Sequence, residues 1–153
     1  MSADTLTSPV DILLVEDDPG DEMMAREAFG DDAMATVLHV VSDGEQALDF
    51  VHRRGAYHSA PRPAFILLDL NLPRMDGREV LANLKAHEST ASIPVVVLTT
   101  SRSQDDVIRC YRLHSNAYVT KPTDYDNFID VVRSINQFWS DTALLPDRTP
   151  PGF

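Results

Sequence analysis

Five short apolar segments alternate with five segments of helical periodicity along the chain, and this alternation constrains the fold more than any other feature. The strand candidates are residues 10–15, 36–41, 64–68, 94–98 and 117–120. Continuous apolar runs are typical of strands that are covered on both faces, as in parallel sheets. Helical crossovers between parallel strands place helices on both faces of the sheet. The sequence therefore predicts an α/β fold with a doubly wound, five-stranded parallel sheet, in which the more polar second strand lies at an edge.

The composition limits the classes of function. The chain has 153 residues, 43% of them apolar, which suits one domain with a hydrophobic core. Its 13 basic and 24 acidic residues give a net charge of −11, which repels phosphate backbones, so we do not expect nucleic-acid binding. There is no secretory signal and no apolar run of membrane length, and the single Cys110 cannot form an internal disulfide. We expect a small acidic protein in the cytoplasm that does not bind membranes.

Charged and hydroxyl residues stand where the predicted strands end. Glu16 and Asp17 follow the first strand, Asp69 the third, Thr99 the fourth and Lys121 the fifth. The carboxyl ends of parallel strands meet at one edge of the sheet, which is where such folds bind ligands. Carboxylates from neighbouring strands can hold Mg²⁺, which often shares its coordination sphere with a phosphate. A phosphoryl group transferred to this edge would meet the cation and the lysine, and the threonine hydroxyl can bond one of its oxygens.

Four separated motifs carry a resemblance to a known family. They are residues 15–18 (Val-Glu-Asp-Asp), 67–77 (Leu-Leu-Asp-Leu-Asn-Leu-Pro-Arg-Met-Asp-Gly), Thr99, and 118–122 (Tyr-Val-Thr-Lys-Pro). In order and spacing they resemble the receiver domains of two-component response regulators, over residues 10–139, with 1–9 as an N-terminal tail and 140–153 as a C-terminal extension. The chain is most similar to single-domain regulators associated with bacterial phytochrome histidine kinases, which share the Phe138-Trp139 pair. The resemblance implies a flavodoxin-like sheet with strand order 2-1-3-4-5.

The resemblance also implies a role for each residue at this edge. Asp69 would be the phosphoacceptor. The metal ligands would be Glu16, Asp17, Asp69 and the backbone carbonyl of Asn71, with Mg²⁺ as the cofactor and Mn²⁺ as a substitute. The phosphoryl-binding residues would be Thr99, Thr100 and Lys121, and the switch residues Thr99 and Tyr118. A cis peptide bond would join Lys121 to Pro122. The residues themselves favour a different role for Asp18, which we expect to cap the first helix rather than to bind metal.

The expected function is that of a stand-alone response regulator in a two-component phosphorelay. It would take a phosphoryl group from a sensor histidine kinase, of bacteriophytochrome type by resemblance, and would not be an enzyme beyond its own phosphorylation and dephosphorylation. No DNA-binding unit fits after residue 139, so we expect the signal to leave through protein contacts. The resemblance implies a homodimer through the fourth helix, fifth strand, fifth helix and C-terminal extension.

Two alternatives stay open. The first is a phosphorylation-independent docking module with the same fold. The second is a Mg²⁺-dependent phosphohydrolase with an aspartyl-phosphate intermediate. Such enzymes usually place an acid two residues after the nucleophile, and here that position is Asn71, which cannot act as a general acid.

Overall fold

A five-stranded parallel sheet forms the centre of the molecule. The computed structural model describes residues 9–30 and 36–146. The strands are β1 (Val10–Val15), β2 (Thr36–Val41), β3 (Phe65–Leu68), β4 (Val95–Thr99) and β5 (Ala117–Thr120). All neighbouring pairs are parallel, in the order β2-β1-β3-β4-β5. The predicted doubly wound sheet, its flavodoxin-like strand order and the edge position of β2 are confirmed.

Five helices of eight residues or more follow the strands in the described part of the chain. They are α1 (Pro19–Gly30), α2 (Gly44–Val51), α3 (Gly77–Ala86), α4 (Gln104–Arg112) and α5 (Tyr125–Gln137). Shorter helical segments lie at Gly55–Tyr57, Glu88–Ala91 and Phe138–Thr142. The side chains of Asp43, Ser103 and Asp124 accept hydrogen bonds from the first turns of α2, α4 and α5, where backbone N–H groups have no partner within the helix. Of the two predicted tails, residues 1–8 and 147–153 lie outside the described residues.

The core has two layers, one on each face of the sheet. Successive side chains of a strand point to opposite faces, so Ile12 and Leu14 of β1 pack against α1 and α5, whereas Leu13 and Val15 pack against α2 and α3. All four residues of β3 are buried. Burial on both faces explains why the central strands are continuous apolar runs in the sequence.

The end of α4 is fixed by a Schellman motif. The Ser115 N–H donates to the Cys110 carbonyl and the His114 N–H donates to the Tyr111 carbonyl, both at 3.0 Å. His114 has φ 72°, in the left-handed region that usually holds glycine at this position. This turn leads directly into β5, whose carboxyl end lies at the edge of the sheet where the charged residues are predicted to meet.

Candidate functional site

Three carboxylates meet at the carboxyl ends of β1 and β3. The two strands are neighbours, with Val15 in register with Leu68, so the residues that follow them lie side by side. Glu16, Asp17 and Asp69 each offer an oxygen atom, and these atoms lie within 4.8 Å of one another. Glu16 and Asp69 are buried, and Asp17 is exposed. The sequence prediction that the ends of these two strands bring their acids together is confirmed.

Lys121, directly after β5, closes this cluster from the other side. Its backbone N–H donates to the Thr99 carbonyl at 2.7 Å, which continues the pairing of β5 with β4 and directs the side chain back over the sheet edge. The Nζ atom lies 2.6 Å from Glu16 Oε1, 2.8 Å from Asp21 Oδ2 and 3.0 Å from Asp69 Oδ2. An ammonium group has three N–H donors, so these three carboxylates use all of them.

The cluster carries more negative charge than one lysine balances. Burial raises the pKa of Glu16 from 4.5 to about 7, against the opposing effect of the hydrogen bond and charge of Lys121. Burial alone would lower the pKa of Lys121, but hydrogen bonds to Asp21 and Glu16 outweigh it and the pKa is raised, so the ammonium stays charged. Oxygen ligands with excess negative charge are the donor set that Mg²⁺ and similar hard divalent cations prefer. The residues present therefore fit such an ion.

A cleft of about 440 Å³ opens over the cluster. Its lining comprises Glu16, Asp17, Asp18, Pro19, Asp21, Asp69, Asn71, Thr100 and Lys121. Every residue predicted to bind metal is thus at the cleft, together with Thr100. The Asp18 Oδ1 atom accepts from the N–H of Gly20 at 2.8 Å and of Asp21 at 3.3 Å, so Asp18 caps α1 as expected.

The loop between β3 and α3 approaches the backbone of Asp69 closely. The Gly77 N–H donates to the Leu70 carbonyl at 2.8 Å. A Cβ atom at Gly77 would lie 2.2 Å from the Asp69 carbonyl oxygen and 2.6 Å from Leu70 Cα. Only glycine fits at this crossing, which holds the chain beyond Asp69 against the first turn of α3.

The two predicted switch residues lie outside the cleft lining. Thr99 is fully buried, and its Oγ1 accepts a long hydrogen bond of 3.5 Å from the Ser101 N–H. The ring of Tyr118 packs against the core layer of α2 and α3, and its hydroxyl donates to the Ser101 carbonyl at 2.9 Å. Both residues are thus attached to the loop after β4 rather than to the acidic cluster.

The same loop is tied to α3 and α4 by a charged network. The Ser101 hydroxyl donates to Asp106 Oδ2 at 2.6 Å. The Arg78 Nε and Nη2 atoms lie 3.0 and 2.7 Å from Asp106 Oδ1, and Nη1 lies 2.9 Å from Asp76 Oδ1. Arg78 therefore connects the helix that follows Asp69 to the loop that follows Thr99.

One predicted feature is wrong. The peptide bond between Lys121 and Pro122, predicted to be cis, is trans, and no cis bond occurs among the described residues. An Xaa-Pro bond prefers trans by about 0.5–1 kcal/mol. With the trans bond Lys121 already reaches three carboxylates, so the position of its side chain does not require the rarer isomer.

Sequence reasoning missed Asp21, the third carboxylate partner of Lys121. It lies in the first turn of α1, four residues after Asp17. Asp17 precedes the helix, so helical spacing does not predict that the two acids share a face; the only signal was an acid in the first turn of the helix that follows the predicted ligands. The contact with Lys121 joins residues that are 100 positions apart.

Comparison with known proteins agrees with this geometry. Residues 12–133 match the response regulator receiver domain family. The chain belongs to this family. The response regulator Rcp1 of Synechocystis sp. is 44% identical over 144 residues, which cover 94% of this chain and 98% of that protein. The receiver domain described here is therefore that of a two-component response regulator.

Two solved structures resemble this receiver domain over nearly their whole length. The Mn²⁺-bound form of response regulator Rcp1 has a TM-score of 0.88 at 45% identity, covering 90% of this chain and 99% of that one. The phosphorylated cyanobacterial phytochrome response regulator RcpA has a TM-score of 0.89 at 42% identity, covering 91% of this chain and 99% of that one.

Among the residues that the structure describes, no helix has the length and apolar character needed to cross a membrane.

Proposed function

We propose that this receiver domain accepts a phosphoryl group on Asp69 from the phosphohistidine of a sensor histidine kinase, in a Mg²⁺-dependent reaction in the cytoplasm. The observation that carries this proposal is the position of Asp69 Oδ2, which lies 3.0 Å from the Lys121 Nζ at the edge of an acidic cluster. The crystallised RcpA is phosphorylated and the crystallised Rcp1 holds Mn²⁺, which supports the same chemistry here.

The reaction needs a nucleophile and a counter-charge. A carboxylate oxygen of Asp69 attacks phosphorus, the P–O bond forms as the P–N bond to the kinase histidine breaks, and the freed imidazole takes up a proton. When bound by Glu16, Asp17, Asp69 and the Asn71 carbonyl, Mg²⁺ or Mn²⁺ supplies positive charge to the phosphoryl oxygens. The Lys121 ammonium supplies the rest, and the catalytic work is mainly electrostatic.

We propose that the new phosphoryl group changes the loop after β4. The Thr99 and Thr100 hydroxyls, at the end of β4 beside β3, would bond its oxygens; in this conformation only Thr100 lines the cleft. Movement of Thr99 would disturb its contact with Ser101, to which Tyr118 is also bonded. A local change of charge can in this way alter the face formed by α4, β5 and α5.

The partners proposed are a bacteriophytochrome-type sensor kinase and a second copy of the chain. Phe138 and Leu144, near the end of α5, are 50% and 98% exposed, and large exposed apolar side chains favour protein contacts. A homodimer through α4, β5, α5 and the C-terminal extension would cover them. Light scattering at tens of micromolar should give a dimer mass, and a monomer with and without phosphorylation would contradict the dimer.

Intact-mass measurement tests the proposed phosphorylation. After incubation with Mg²⁺ and acetyl phosphate, the wild-type protein should gain the mass of one phosphoryl group, and Asp69→Asn should gain none. Asp105→Asn is the matched control, because Asp105 is exposed in the first turn of α4 and away from the cleft; it should behave as wild type.

The same experiment separates the alternatives. Absence of uptake by the wild-type protein would favour a docking module that works without phosphorylation. Many turnovers on free phosphate esters would favour a phosphohydrolase, which the amide of Asn71 argues against.

A further inference from the structure

Lys121 has no free N–H donor for a phosphoryl oxygen. Its three contacts, to Glu16, Asp21 and Asp69, have lengths of 2.6, 2.8 and 3.0 Å. An ammonium group donates three hydrogen bonds. A phosphoryl group on Asp69 can therefore bond Lys121 only after one of these carboxylates releases it.

The partner that can leave at least cost is Asp21. The side chains of Glu16 and Asp69 are 3% and 10% exposed, whereas that of Asp21 is 21% exposed. Water can therefore hydrate the Asp21 carboxylate once it is released, which lowers the penalty of an unpaired charge. Glu16 and Asp69 also belong to the group of oxygens that can hold a cation, and Asp21 does not.

Asp21 is held in place independently of the acidic cluster. It lies in the first turn of α1, where its backbone N–H is 3.3 Å from the capping oxygen of Asp18. Loss of its contact with Lys121 would leave the helix and the cap intact, so the carboxylate can swing between lysine and solvent without a change in fold.

We propose that Asp21 is a positioning residue that occupies one N–H donor of Lys121 until a phosphoryl oxygen replaces it. The proposal rests on the proposed role of Asp69. Asp21 would act against phosphorylation in two ways: it competes for the ammonium, and its charge adds to that of the four other carboxylates that line the cleft (Glu16, Asp17, Asp18 and Asp69) and repels an anionic phosphodonor.

Substitution of Asp21 by asparagine removes the charge while it keeps the size of the side chain. We expect Asp21→Asn to take up the phosphoryl group from acetyl phosphate about fivefold faster than wild type. This factor is the size of effect that loss of one partly exposed ion pair has on an equilibrium. Rates are compared at Mg²⁺ concentrations high enough that more metal has no effect. The matched control is Glu22→Gln, which makes the same charge change at the next position of α1, where Glu22 pairs with Arg26; its rate should stay within about twofold of wild type.

Binding of beryllofluoride, an analogue of the phosphoryl group, gives a readout without turnover. Nuclear magnetic resonance titration should show tighter binding to Asp21→Asn than to wild type or Glu22→Gln. The role of Asp21 alone would be overturned if the wild type takes up the phosphoryl group normally but Asp21→Asn does so no faster than Glu22→Gln. No uptake by the wild type would overturn this role together with the proposed function.

Discussion

The Lys121 Nζ atom lies 2.6 Å from Glu16 Oε1, and both side chains are nearly buried, with 5% and 3% of their surface exposed. The pair joins the end of β1 to the end of β5, which lie on opposite sides of the two central strands β3 and β4. A buried pair costs desolvation energy that the mutual attraction does not always repay. The arrangement is therefore better explained by the proposed phosphoryl transfer than by stability.

Glu16 should make the stability of the metal-free protein depend on pH. Burial raises the pKa of Glu16 in the folded protein from its usual 4.5 to about 7, so between these two pH values the folded state binds the proton more tightly than the unfolded state. The free energy of unfolding should therefore fall as the pH rises through this window. Glu16→Gln cannot ionise and lacks this contribution.

Urea titrations at a series of pH values check this effect. The stability of Glu16→Gln relative to wild type should increase as the pH rises from about 4.5 to about 7 and then become constant. Glu22→Gln makes the same substitution on α1 outside the acidic cluster and is the control. A Glu16→Gln difference that does not vary with pH would show that the carboxyl is not protonated preferentially in the folded state.

Arg78 and Asp106 should be coupled in stability. The hydrogen bonds from Ser101 and Arg78 lower the pKa of Asp106, and the Arg78 and Asp106 side chains are only 15% and 20% exposed. A double-mutant cycle with Arg78→Met and Asp106→Asn should give a coupling energy of about 1 kcal/mol. The exposed pair Arg26–Glu22 should give about 0.3 kcal/mol by the same measurement; equal values for the two pairs would contradict a special role for the network that holds the loop after β4.

Gly77→Ala should damage both stability and phosphorylation. The added Cβ would lie 2.2 Å from the Asp69 carbonyl oxygen, so the backbone of Asp69 must move. We expect a loss of about 2 kcal/mol in the free energy of unfolding and slower uptake from acetyl phosphate. Gly30→Ala is the control, because a Cβ at Gly30 meets no atom of the described residues within 4 Å. Normal phosphorylation by a folded Gly77→Ala would show that this contact does not position Asp69.

His114→Gly should stabilise the protein. His114 has φ 72° at a helix end where glycine is usual, so glycine removes the steric cost at some loss of backbone entropy. We expect a net gain of about 0.5–1 kcal/mol, measured by thermal or urea unfolding. His114→Ala keeps the Cβ and should give no gain; a similar gain in both variants would place the cause in the imidazole rather than in the backbone.

The sequence was sufficient to locate the ends of the strands and much of the site. Buried parallel strands are continuous apolar runs, so the first charged residue after each run marks the edge where ligands bind. Glu16, Asp69 and Lys121 could be found in this way without any tertiary information. The strand order came from the family resemblance, not from periodicity.

Three features depend on geometry that the sequence does not encode locally. The contact of Asp21 with Lys121 depends on the direction of α1 relative to a strand end 100 residues later. Which of Thr99 and Thr100 faces the cleft depends on a single position in the strand register. The isomer of the Lys121–Pro122 bond depends on a free-energy difference of only about 0.5–1 kcal/mol.

Reduction with borohydride tests the role of Asp69 most directly. An aspartyl phosphate is a mixed anhydride, which borohydride reduces to an alcohol, whereas free carboxylates do not react. After incubation with Mg²⁺ and acetyl phosphate, we expect peptide mass analysis to find homoserine in place of Asp69, at no other aspartate, and not at all when Mg²⁺ is chelated. Homoserine at a different position, or its absence at residue 69 in protein that has gained a phosphoryl group, would contradict phosphorylation of Asp69.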